Sequence, residues 1–168
     1  MVRLKRKMLD DLSMRMIEFN ENDPARIQHL LKVHSFAKLI GELEGFDRDY
    51  MSILEAAALT HDIGIRPAEE KYGSCSGKYQ EELGPAYAEE MLKSVGFHAG
   101  VIERVSYLVG HHHTYTNVDG LDYRILLEAD FLVNLYEQNA EKDVVQEALE
   151  NIFKTESGIK ICTKMFGL

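Results

Sequence analysis

The chain has 168 residues, a length that suits one domain, and its 45% hydrophobic and 28% charged residues are ordinary for a globular protein with its own core. No apolar run approaches the roughly 20 residues needed to cross a bilayer. Two cysteines without a CxxC, Cys75 and Cys162, exclude a disulfide scaffold, and 19 Lys+Arg against 28 Asp+Glu weigh against a nucleic-acid duplex as partner.

The basic start, Arg3-Leu4-Lys5-Arg6-Lys7, lacks the apolar run of a signal peptide, because Asp10, Asp11, Ser13 and Arg15 interrupt it. The spacing of Leu4, Met8, Leu12 and Ile17 predicts an amphipathic helix over 2–19. Asp23-Pro24 is an N-cap followed by proline at the first helical position, so a helix should run from Pro24 to about Glu44 and stop at Gly45. Asp47 can cap a helix ending near His61, with Gly64 as its terminator. Residues 66–84 are the least regular, with a loop at Gly73–Gly77. Gly84-Pro85 reads as the start of a helix closed by Gly96, and another should span 100–110. A polar loop at 114–120 leads into a strongly apolar helix over 121–136, and two more are expected over 143–154 and 159–166. No segment alternates as a strand would. The expectation is an all-α fold, a compact helical bundle of about seven helices. It forms one domain, 1–168, with its core at about 24–137 and the helices at 2–19 and 140–166 packed on it. The scarcity of cysteine points to a reducing, cytoplasmic setting.

Composition leaves seven histidines in an acidic chain unexplained. On the helix from Pro24, His29 lies about 40° from the centre of the apolar stripe and His34 about 100° from it. His29 therefore points inward, either as a hydrogen-bonded core residue or as a ligand. The run Ala56–Leu59 suits a central, closely packed helix, and it ends in His61-Asp62. Asp130 shares a helical face with Leu126, Leu127 and Val133, whereas Glu128 faces elsewhere. A buried carboxylate needs a positive partner, a basic side chain or a metal ion. Two imidazoles and two carboxylates from three helices make a plausible His2Asp2 set, suited to a borderline divalent ion.

The segments Arg26–Val33 with His29, Ala58-Leu-Thr-His61-Asp62-Ile63-Gly64, and Glu128-Ala-Asp130 resemble the HD-domain superfamily of metal-dependent phosphohydrolases. The likeness spans roughly Arg26 to Tyr136. The resemblance implies an HD-type helical fold in which His29, His61, Asp62 and Asp130 bind one divalent metal, with Mn, Co, Ni, Fe, Zn and Mg not distinguished. It implies hydrolysis of a phosphate ester, of a nucleotide or small phosphorylated metabolite, through a metal-activated water, with Asp62 doubling as general base. Dinuclear members carry a further histidine where this chain has Leu83, which disfavours a second metal. Many members follow HDIG with Lys or His, where this chain has Ile65-Arg66, and the glutamate that often follows the His-Asp pair in nucleotide hydrolases is absent. Arg66, Lys78 and the run His111, His112, His113 are candidate substrate contacts. The alternatives are a di-iron oxygenase on the same fold and a non-catalytic nucleotide sensor. The expected partner is a small phosphorylated substrate, with no membrane; homo-oligomerisation is left open.

Overall fold

The computed structural model describes residues 2–168, with side chains from Arg6 onward; Leu4, used above to read the first helix, lies outside those side chains. The described residues form nine helices and no strand: α1 (Val2–Phe19), α2 (Pro24–Leu43), α3 (Arg48–Thr60), α4 (Ile65–Tyr72), α5 (Gly77–Val95), α6 (Ala99–Val109), α7 (Leu121–Glu137), α8 (Lys142–Asn151) and α9 (Glu156–Phe166). None is long and apolar enough to cross a membrane.

The all-helical bundle follows from the caps and stripes in the sequence. The Asp23 side chain accepts from the Arg26 amide at the start of α2, and Asp47 accepts from Asp49 and Tyr50 at the start of α3. Gly45 and Gly96 take positive φ, +80° and +97°, and let the chain leave α2 and α5. Helix α3 is the centre, packed on α1, α2, α6 and α7. Its Ala56, Ala57 and Ala58 are wholly buried, and their small side chains let four neighbours approach closely. Along α7, Ile125, Leu126, Leu127, Ala129 and Leu132 are likewise buried, which places that helix against α2 and α3.

The stretch 66–84 departs from expectation. It contains α4 and the first two turns of α5, and only residues 73–76 lie between helices. Gly64 does not terminate by a left-handed turn; its φ is −72° and the chain continues into α4. Its missing side chain serves packing instead, because a Cβ there would sit 2.5 Å from the Gln80 carbonyl oxygen of α5. Gly84-Pro85 does not open α5 but lies inside it. A Cβ on Gly84 would come within 2.7 Å of Val109 Cγ1, and Pro85 Cγ lies 3.0 Å from where a Gly110 Cβ would be. The proline forfeits one backbone donor and seats α5 closely on α6. These contacts press α5 and α6 onto the end of α3, where His61 and Asp62 stand.

Candidate metal centre

Four side chains meet where α2, α3 and α7 cross. His29 comes from the second turn of α2, His61 and Asp62 from the turn that ends α3, and Asp130 from the middle of α7. His61 is fully buried, and His29 and Asp130 are 7% exposed. His29 Nε2 lies 3.1 Å from Asp130 Oδ1, 3.4 Å from Asp62 Oδ2 and 3.4 Å from His61 Nε2. His61 Nε2 lies 3.4 Å from Asp130 Oδ1 and 3.5 Å from Asp62 Oδ2. The inward readings of His29 and Asp130 thus place them together, while His34 turns away to Glu55 at 2.9 Å and His98 is exposed.

The rear nitrogen of each central imidazole is already engaged. His61 Nδ1 donates to the Ala58 carbonyl at 2.8 Å, and His29 Nδ1 faces Glu137 Oε2 at 2.9 Å. Glu137 in turn holds Lys32 Nζ at 2.6 Å. In that arrangement each deprotonated imidazole turns its Nε2 lone pair inward, toward the other and toward two carboxylates, and without an ion a proton on His61 takes that place. Four acceptors facing one another in a buried space repel unless a cation joins them. The donor set therefore fits a divalent ion, and its imidazole–carboxylate mixture is that of borderline transition metals.

The electrostatics agree. Burial would depress His61, but Asp62 and Asp130 outweigh it and lift the imidazole to about 9. His29 is raised in the same way: burial pulls it down, and its bond to Asp130 together with the charges of Asp62 and Asp130 outweighs that. Burial would raise both aspartates, yet His61 beside Asp62 and His29 beside Asp130 hold them well below the ordinary carboxylate range. Asn134 Nδ2 also donates to Asp130 Oδ1 at 2.8 Å.

The histidine run divides. His112 is buried, donates from Nδ1 to the Val109 carbonyl at 2.8 Å, and presents Nε2 to Asp62 Oδ1 at 3.3 Å. His113 packs against His112 with ring centroids 4.0 Å apart, and its Nε2 is buried without a hydrogen-bond partner. Burial together with His112 presses it down to about 4, so it is uncharged at neutral pH. Asp62, His112 and His113 make a second group whose ligand atoms lie close enough to hold an ion, beside the His29–His61–Asp130 group. His111 stacks on Tyr107 and bonds its carbonyl at 2.7 Å, away from both groups.

Arg66 and Lys78 are not brought to the cluster. The Arg66 guanidinium bonds the Phe19 carbonyl at 2.6 Å, closing the end of α1, and pairs with Glu70. Lys78 is exposed in the first turn of α5. Two site residues escaped sequence reading. Glu137 stands seven residues, two helical turns, after Asp130, so the face argument applied to Asp130 would have found it. Asn134, four after Asp130, carried the same signal. From Asp130 and His113 a cleft of about 470 Å³ opens between α7, α8 and the loop after α6, with Leu135, Ala148 and Ile152 in its apolar wall.

Similarity to known proteins points the same way. No curated protein matches the chain. The crystal structure of a predicted HD superfamily hydrolase from an uncultured Thermotogales bacterium superimposes with a TM-score of 0.64 at 27% identity, covering 96% of this chain and 84% of that one. The model of the HD domain matches residues 26–152, the span that carries all four central side chains, and the chain belongs to the HD-domain family.

Proposed function

We propose that this protein is a metal-dependent phosphohydrolase acting on a phosphate ester of a nucleotide or small phosphorylated metabolite. The observation that carries the reading is the convergence of two carboxylates on two imidazoles whose rear nitrogens are already engaged. His29, His61, Asp62 and Asp130 would hold the ion. When bound, such an ion makes water a better nucleophile and neutralises charge on a phosphoryl oxygen. The chain's own residues do the rest. Asp62 turns Oδ1 away from the other three ligands toward His112, so a proton leaving the attacking water has an acceptor pair 3.3 Å apart. His112 is fixed in the right tautomer by the Val109 carbonyl. His113, neutral and with its ring lining the cleft, would donate an imidazole N–H to a phosphoryl oxygen. The water oxygen bonds to phosphorus, the ester P–O bond breaks, and the released proton ends on the leaving alcohol.

A two-ion centre is the second reading, favoured by the Asp62–His112–His113 group. It is the arrangement a di-iron oxygenase would need. The test is a phosphatase screen over nucleotides, phosphosugars and cyclic dinucleotides with Mn, Co, Ni and Mg supplied separately, together with a metal count per chain. His61→Ala and Asp62→Ala should each abolish metal uptake and turnover; hydrolysis surviving in both sinks the proposal. Two irons per chain without hydrolysis selects the second reading.

A further inference from the structure

The cleft beyond Asp130 and His113 bears on what the phosphate is attached to. Among the described residues lining it there is no lysine and no arginine; its charged side chains are Asp130 at the inner end and Glu147 on α8. Lysines on the adjoining segments are turned elsewhere: Lys32 to Glu137, Lys142 to the Gly167 carbonyl and Lys154 to the Glu150 carbonyl. A chain of phosphates extending from the centre into this space would meet carboxylates and no cation.

What the cleft does offer is neutral hydrogen bonding beside aromatic surface. Asn134, Gln138 and Asn151 line it, each amide carrying both donor and acceptor. Asn134 spends its Nδ2 on Asp130 and keeps its carbonyl oxygen free of that bond. Tyr115 and Phe131 both line the cleft and meet at 75°, centroids 5.3 Å apart, and the 44% exposed Tyr115 ring offers stacking area to a ligand. The volume lies in the range that takes a small metabolite. A flat heterocycle with hydrogen bonds on its edge matches all three properties: stacking area, amide partners and absence of a basic side chain. A sugar lacks the flat face, and an organic cation would leave the amides idle.

We propose that this cleft is a nucleoside-binding subsite, and, resting on the phosphohydrolase reading, that the substrate is a nucleoside monophosphate. The reaction is then water plus monophosphate giving nucleoside plus inorganic phosphate, with only one phosphoryl group to accommodate. Tyr115 supplies the stacking surface, and Asn151 and Gln138 read the edge of the base.

The first test needs no activity. Saturation-transfer NMR on the full chain after chelator treatment uses adenosine and uridine as probes, with glucose and choline as controls. Transfer to base protons is expected, weakened roughly fivefold or more by Tyr115→Ala and by Asn151→Ala, both exposed positions whose loss leaves the core untouched. No transfer, transfer unchanged in both variants, or equal binding of glucose or choline overturns the proposal. The second test uses ion-loaded protein and compares adenosine monophosphate, adenosine triphosphate and glucose 6-phosphate, with p-nitrophenyl phosphate reporting general phosphatase action. The monophosphate should exceed the triphosphate in kcat/KM by roughly tenfold or more. Hydrolysis of p-nitrophenyl phosphate without that preference defeats the subsite alone. Failure on every ester defeats the phosphohydrolase reading, and the NMR result still decides the cleft.

Discussion

Glu137 is the residue whose removal best separates orienting a ligand from being one. Its Oε2 lies 2.9 Å from His29 Nδ1 and its Oε1 2.6 Å from Lys32 Nζ, so it links a surface lysine to a central imidazole. Glu137→Ala would leave His29 free to rotate and to choose its tautomer, two freedoms that ion binding would then have to remove. Replacing such an outer partner typically costs ten- to a hundredfold in metal affinity, about 1.4–2.7 kcal/mol. The Glu137 side chain is 31% exposed, so water can take over part of its acceptor role, and the expected loss lies near tenfold. Glu137→Gln keeps an acceptor oxygen and loses the charge, so it should fall between wild type and alanine. Competition titration against a chromophoric chelator measures the affinity, and the melting temperature of the chelated protein reports on the fold. If Glu137→Ala binds the ion within twofold of wild type while melting normally, the linkage from Lys32 through Glu137 to His29 does nothing for the centre.

Other outcomes follow from the same geometry. Metal affinity should climb at least tenfold per pH unit below 9, because the ion must displace a proton from His61, held up to about 9 in the metal-free protein, and at lower pH one from His29, also raised, so the climb steepens there. The stability that proton confers is full below about 6.5, the ordinary imidazole value, and is lost as pH rises through 9, so the melting temperature of chelated protein should fall across that window while the loaded protein's does not. His112→Ala should lower kcat at least tenfold, whereas His111→Ala should leave it unchanged, as turnover assays at saturating substrate would show. Arg66→Ala should lower stability by about 1 kcal/mol through the lost bond to Phe19 and leave KM alone, read by denaturant titration and steady-state kinetics. Gly158→Ala should drive a methyl group into Oε2 of the Glu128 carboxylate, a group that three hydrogen bonds hold in place, at a cost of about 3 kcal/mol or roughly 6–12 °C in Tm.

Much of this architecture was legible because it depends on local chemistry. Asp23-Pro24 and Asp47 announce helix starts by what their side chains bond, and Gly45 and Gly96 announce ends by a conformation that other residues resist. The inward faces of His29 and Asp130 follow from helical period alone. Gly64 and Gly84 misled for the opposite reason: their role is contact with a distant helix, and a glycine that admits a neighbour looks like one that breaks a turn. The substrate contacts were least legible. Arg66 resembles an anion ligand until its carbonyl partner on α1 is known, and that partner lies 47 residues away. His111, His112 and His113 are alike as letters; only the turn after α6 sends one to Asp62, one to the cleft and one to Tyr107.

Glu128 has a bearing on where this domain can be cut. It lies two positions before Asp130 and faces the opposite way, fully buried, with its carboxylate accepting from the Lys154 and Thr155 amides and the Thr155 hydroxyl. Thr155 is also the N-cap of α9, so the anion sits at the positive end of that helix. The matched HD segment stops at 152, two residues short of the first of those donors. A protein trimmed to the matched segment would keep the charge and lose what holds it, and an uncompensated buried carboxylate costs roughly 3–5 kcal/mol. The strain would fall on α7, the helix that carries Asp130. The last helix is thus part of the smallest piece able to hold the centre in shape, and expression limits drawn at the family boundary would cut through a working contact.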